Sequence, residues 1–162
     1  MTLTSAAPGV IHLIERSPDV SGAEMVAALT PPPQFHDATF ETYRADDAFP
    51  SQQGSKDLLM AFCGIAPVQK RGGMFSRKPK APEAKPGVYL DGGFGVGKTH
   101  LLASIYHAFP GRRKYFGSFI EYTALVGALG YQKTVELFRG SRLICIDEFE
   151  LDDPGDTMVM TR

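Results

Sequence analysis

Apolar residues along this chain fall into short runs separated by turn-forming residues, and the period changes from run to run. From Ser51 to Gly64, the residues Leu58, Leu59, Phe62 and Cys63 mark one side of a helix, with Ser51 placed to cap its start. Thr99 to Ala108 also has helical character. Tyr122 to Leu129 reads as a helix closed by Gly130, and Thr134 to Arg139 as one closed by Gly140. Three other runs have the length of strands: Gly87 to Asp91, Lys114 to Phe119 and Leu143 to Ile146. The last is apolar throughout, as a strand buried in a parallel sheet must be. The order helix, strand, helix, strand, helices, strand predicts a right-handed α/β wind: a parallel sheet with flanking helices.

The front of the chain is less regular. Ser21 and Glu24 have capping-box spacing and predict a short helix from Ser21 to Leu29, which Pro31-Pro32-Pro33 stops. Phe35 to Pro50 has no clear period. Its aromatics Phe35, Phe40, Tyr43 and Phe49 are expected to pack a linker onto the core. Residues 66–86 carry Lys70, Arg71, Arg77, Lys78, Lys80 and Lys85 against Glu83 alone, with Gly72-Gly73 and three later prolines. This reads as a flexible basic loop, either a solvated surface or a contact for nucleic acid or an acidic partner. The chain thus divides into an N-terminal extension and linker over residues 1–50 and a core over residues 51–162.

Between the strand-like run at 87–91 and the helix at 99–108 stands Gly92-Gly93-Phe94-Gly95-Val96-Gly97-Lys98-Thr99, which fits G-x-x-x-x-G-K-[ST]. The bland alternative is a glycine-rich turn. The flanks, strand before and helix after, are the context a phosphate-binding P-loop requires. There the backbone N–H groups of Gly92, Gly93, Phe94, Gly95, Val96 and Gly97 wrap phosphate, and the helix N-terminus adds positive potential. Lys98 is expected to reach the β- and γ-phosphates and Thr99 to hold Mg²⁺. His100, next in line, either touches the nucleotide or packs on a neighbour.

A second motif follows the third strand. Asp147 and Glu148 sit at its carboxyl end, where open α/β sheets place their ligands. Asp147 suits a Walker-B role, holding Mg²⁺ through its water shell, and Glu148 suits orienting or deprotonating the attacking water. The adjacent Glu148 favours an ATPase over a small-molecule kinase. The chain contains no Asn, so the N-K-x-D signature for guanine is absent and ATP is the expected nucleotide.

Composition changes this picture little. The chain has 162 residues, 43% hydrophobic and 22% charged, ordinary values for a globular domain with a sizeable core. Its net charge of −1 argues against a nucleic-acid-binding polycation. Cys63 and Cys145 are expected as buried thiols; no C-x-x-C pair points to zinc. His12, His36 and His107 lack metal-ligand spacing. No basic-then-apolar leader is evident, and no run approaches the roughly 18 apolar residues of a membrane span. Asp153-Pro154 reads as a further helix start. A polar sensor and an arginine finger, which such ATPases carry after the Asp-Glu strand, have no counterpart before Arg162. The fold is therefore expected to be truncated after that strand.

Three stretches carry a resemblance: GVYLDGGFGVGKTH (87–100), KYFGSFIEYTA (114–124) and CIDEFELDDPGDTM (145–158), with FHDATFETY (35–43) in support. Together they resemble the AFG1-like ATPase family over roughly residues 33–162, and within it the bacterial cell-division branch (ZapE type) in its actinobacterial form. The run Asp147-Glu148-Phe149-x-x-x-Asp153-x-x-Asp156 is more specific than the glycine loop. The resemblance implies an AAA+ fold, Mg²⁺-dependent ATP hydrolysis and homo-oligomers with nucleotide between subunits. It also implies a cytoplasmic protein acting on a protein partner, the tubulin-like FtsZ division ring. By residue match, Gly92, Gly97, Lys98 and Thr99 carry over as nucleotide contacts, and Asp147 and Glu148 as metal and water residues. Two other readings stay open: a DNA helicase loader, or a nucleotide-binding fragment without catalysis.

Overall fold

A computed structural model describes residues 21–65 and 87–149. The basic stretch 66–86, His12, the Asp153-Pro154 helix start and the acidic run after Phe149 lie outside the described residues.

Helix α1 spans Gly22–Ala27 and opens on the expected capping box. The Ser21 backbone N–H donates to Glu24 Oε2 at 2.8 Å, and the Glu24 N–H donates to Ser21 Oγ at 3.3 Å. A 3-10 turn at Pro33–Phe35 follows the proline run. Helix α2 spans Pro50–Phe62. It begins one residue before the expected cap: Pro50 takes the first turn, where its missing N–H costs nothing, and no side chain caps the end. Its apolar side is narrower than the sequence implies. Leu59 and Cys63 are buried, whereas Leu58 is 59% exposed. Adjacent helical positions point about 100° apart, and the core cluster lies on the Leu59 and Cys63 side, which leaves Leu58 turned outward.

Helix α3 spans Lys98–Ala108, strand β1 Lys114–Ser118, helix α4 Phe119–Leu129, helix α5 Tyr131–Phe138 and strand β2 Leu143–Asp147. Helix α4 starts three residues earlier than its apolar pattern implies, because Ser118 and Glu121 form a second capping box. The Ser118 N–H donates to Glu121 Oε2 at 2.7 Å. Helix α5 likewise starts three residues early, directly after Gly130.

β1 and β2 pair in parallel, with Phe116 opposite Cys145 and Ser118 opposite Asp147. The two helices between them form the crossover. Alternation then assigns the faces. Phe116 and Cys145 pack with Ala103 of α3 and with Ala38. On the other face Tyr115 and Ile146 meet Leu29, Tyr122 and Leu125 of the α1 and α4 side. Gly117 permits that side to close in, since a Cβ there would lie 2.7 Å from Leu29 Cδ2. The free edge of β1 is used as well: the Phe116 N–H donates to Leu29 O at 3.0 Å.

The expected strand at Gly87 to Asp91 does not join this ladder. Val88 and Leu90 pack on the core and Tyr89 points outward, so the period-two pattern is real. An alternating pattern extends a segment, but ladder bonds need a partner about 4.8 Å away. β1 has β2 on one side and Leu29 on the other, and no described residue pairs with 87–90.

A further cluster joins α2 and α3 to the segment between them and α1: Phe40, Tyr43, Leu59, Cys63, Leu101 and Ile105 are all buried. Two of the linker aromatics thus complete the core, as the sequence implies, while Phe49 stays exposed. At the far end of α3, Lys114 Nζ donates to the carbonyls of Tyr106 (2.6 Å) and Phe109 (2.9 Å), placing a cation at the helix's negative pole.

Cys63 and Cys145 are free and buried. Burial pushes the Cys63 thiol up to about 11 and the Cys145 thiol up to about 12. These raised values set the sign of the alkaline response. An unfolded thiol ionises from pH ~8.5, while the folded one stays neutral, so stability present below that pH is lost as pH rises towards 12. We expect the urea midpoint to fall between pH 9 and pH 11, with Cys145 contributing a slope of about 1.4 kcal/mol per pH unit. Cys145→Ala should flatten that slope; an unchanged slope would show that other groups govern alkaline unfolding.

Candidate nucleotide site

The glycine motif folds as the loop that enters α3. Gly97 is the residue before the helix, with φ 86° and ψ 29°, a left-handed conformation that disfavours any side chain. Its carbonyl accepts the Leu101 N–H at 3.0 Å and so begins the helical ladder. The first N–H groups of α3 have no partner within the helix and face the loop. Lys98 Nζ turns back across the loop and donates to Gly92 O and Gly93 O, both at 2.8 Å. Phe94 is fully exposed at the loop's tip.

Beside the loop lies a cleft of about 530 Å³. Thr99 is the motif residue that reaches it. Ser118 and Glu121 come from the β1–α4 junction, and Asp147 and Glu148 from the end of β2. The β1–β2 register explains part of this gathering. Ser118 and Asp147 are direct neighbours and follow Phe116 and Cys145 on the face turned to α3. Residues 30–35, the proline run and the turn after it, complete the wall. The structure thus brings Thr99 to the adjacent pair Asp147 and Glu148, which lies far from it in sequence.

Glu148 has φ 49°, the one positive φ of a non-glycine among the described residues. Such a conformation costs on the order of 1 kcal/mol and turns the chain sharply as it leaves the strand.

His100 behaves differently from its neighbours in sequence. Its Nε2 lies 3.0 Å from Thr39 O and 3.1 Å from Thr42 Oγ1, and its ring meets Phe35 and Tyr43. The imidazole therefore fastens α3 to the linker segment, the packing alternative of the two raised by its position. His107, in the last turn of α3, does the same, with Nε2 3.1 Å from Phe35 O.

Two features of the site escape a motif search. Ser118 and Glu121 read as strand end and helix interior, although S-x-x-E is a capping-box signal. Tyr43 stands out least. Its hydroxyl donates to Val96 O, inside the glycine loop, at 2.9 Å. Burial raises its pKa, so the phenol keeps its proton and stays a donor.

A parallel sheet between helices, with a glycine loop opening α3 and two acids ending β2, defines an α/β fold of the P-loop NTPase type. The family model of AFG1-like ATPases matches residues 20–162, and the chain belongs to that family. Family membership places it among AAA+ ATPases. No curated protein and no solved structure matches the chain. No helix among the described residues is long and apolar enough to cross a membrane.

Proposed function

We propose that this chain binds ATP with Mg²⁺ and hydrolyses it to ADP and phosphate. The observation that carries the reading is the meeting of Thr99, Asp147 and Glu148 in one cleft at the N-terminus of α3. The donor set suits a magnesium nucleotide. A hydroxyl and a carboxylate are hard oxygen ligands, and the loop and helix end offer N–H groups to phosphate. Gly92, Gly93, Phe94, Gly95, Val96 and Gly97 supply those amides, Lys98 the cation for the β- and γ-phosphates. Thr99 and Asp147 hold the metal. Bound Mg²⁺ would neutralise charge on the phosphate oxygens. Glu148 orients the attacking water and accepts its proton. The cleft is walled by residues 30–35 on one side and the strand ends on the other.

The same sequence stretches support a finer placement. Taken together, their resemblance to the bacterial members points to the cell-division branch of the family, a cytoplasmic homo-oligomer acting on the FtsZ ring. Residues 51–162 would carry the ATPase core and 1–50 the extension.

The test is phosphate release with ATP or GTP, with and without Mg²⁺, beside calorimetric binding. We expect release from ATP that stops when EDTA removes the metal, and weaker turnover of GTP. Absence of nucleotide binding at millimolar ATP and Mg²⁺ would refute the reading.

A further inference from the structure

The glycine loop is held from below by a residue outside any nucleotide motif. We propose that Tyr43 is a positioning residue that aims a loop amide at the phosphates, an inference resting on the nucleotide reading above.

The argument begins with the peptide plane. The bond between Val96 and Gly97 is a trans amide, so its C=O and N–H point in opposite directions. Tyr43 Oη donates to Val96 O at 2.9 Å. Fixing that carbonyl on the core side fixes the Gly97 N–H on the other side. Gly97 needs such a restraint. With no side chain and φ 86°, it has more backbone freedom than any other residue type. A flip of this peptide would put a carbonyl oxygen where an anion expects a donor.

Tyr43 can act as a fixed post because it is itself fixed. It is 7% exposed, within the cluster of Phe40, Leu59, Leu101 and Ile105. Its ring lies so close under the loop that a Cβ at Gly97 would stand 2.7 Å from Cε2. Its own carbonyl accepts a hydrogen bond from Lys56 Nζ at 3.4 Å. The neighbouring Thr39 and Thr42 are tied to His100 in the first turn of α3. Loop, helix start and linker segment are thus keyed together on one side, leaving the opposite side of the loop for a ligand.

Tyr43→Phe removes the hydroxyl and keeps the ring. A neutral hydrogen bond of this kind is worth a factor of about three to ten in an equilibrium constant. We expect the dissociation constants of ATP and ADP to rise about three- to tenfold, with KM for ATP rising alike and kcat changing less than twofold. AMP, which lacks the phosphates this loop would hold, should change less than twofold. The melting temperature should stay within a few degrees of wild type. A ring that only packs would be served equally well by Phe, and ATP and AMP affinities would then both stay at the wild-type values. Tyr43→Leu, which also lacks the donor, should lose at least as much ATP affinity. If Tyr43→Phe fails to fold, Tyr43→Leu carries the ATP-against-AMP comparison. The inference is overturned if wild type binds ATP and either folded variant binds it equally well. If wild type itself binds no ATP, the nucleotide reading fails and this inference with it.

Discussion

Glu148→Gln is expected to lower phosphate release at least a hundredfold while ATP still binds. The amide has the size of the carboxylate but cannot take a proton from water. A positioned general base contributes roughly 10²- to 10⁴-fold. Binding should survive because the phosphate cradle and the metal residues Thr99 and Asp147 are untouched. The strained backbone at Glu148, φ 49°, also survives, since Gln meets the same steric limits. Steady-state phosphate release and calorimetric ATP titration of the same preparation are the two measurements. Parallel loss of both would place Glu148 in folding or binding. Equal release from wild type and variant would remove it from the chemistry. A chain that binds ATP and shows no release in either form would match the non-catalytic alternative.

Lys98→Ala should act on the other quantity. A charge-assisted contact to phosphate is worth about 1.5–3 kcal/mol, so ATP affinity should fall roughly ten- to a hundredfold. In the structure Lys98 Nζ spans Gly92 O and Gly93 O, and the substitution also removes this brace from the loop. Lys98→Met, with similar length and no charge, should lose about as much. Isothermal titration with ATP and with AMP is decisive. A loss confined to ATP supports contact with the outer phosphates, and unchanged ATP affinity would remove Lys98 from the site.

Much of this arrangement can be read from the residues in order. The glycine motif, the apolar strand ending in Asp147 and Glu148, and the Ser21–Glu24 box are local signals, each complete within a few residues. What could not be read depends on distance or on competing local codes. Nothing around Tyr43 indicates that its hydroxyl ends 53 positions away on Val96 O. Residues 30–35 look like a stop and a linker, yet they wall the cleft. The α4 start was hidden because Lys114 to Phe119 reads as a strand, and the apolar pattern does not register the Ser118–Glu121 cap. Leu58 looked inward because its neighbour Leu59 does. The run at 87–91 has a strand's pattern but lacks a described partner. Ladder membership depends on what lies alongside, which no single run records.

The hydrogen bond from Phe116 to Leu29 has an architectural consequence. It occupies the outer side of β1, and the following Pro31-Pro32-Pro33 have no N–H to offer an incoming chain. That flank is therefore covered at the middle of β1. Ile144, 43% exposed on β2, lies at the other. Among the described residues the β2 flank carries no such cover, so that is the side on which a further strand has room to pair.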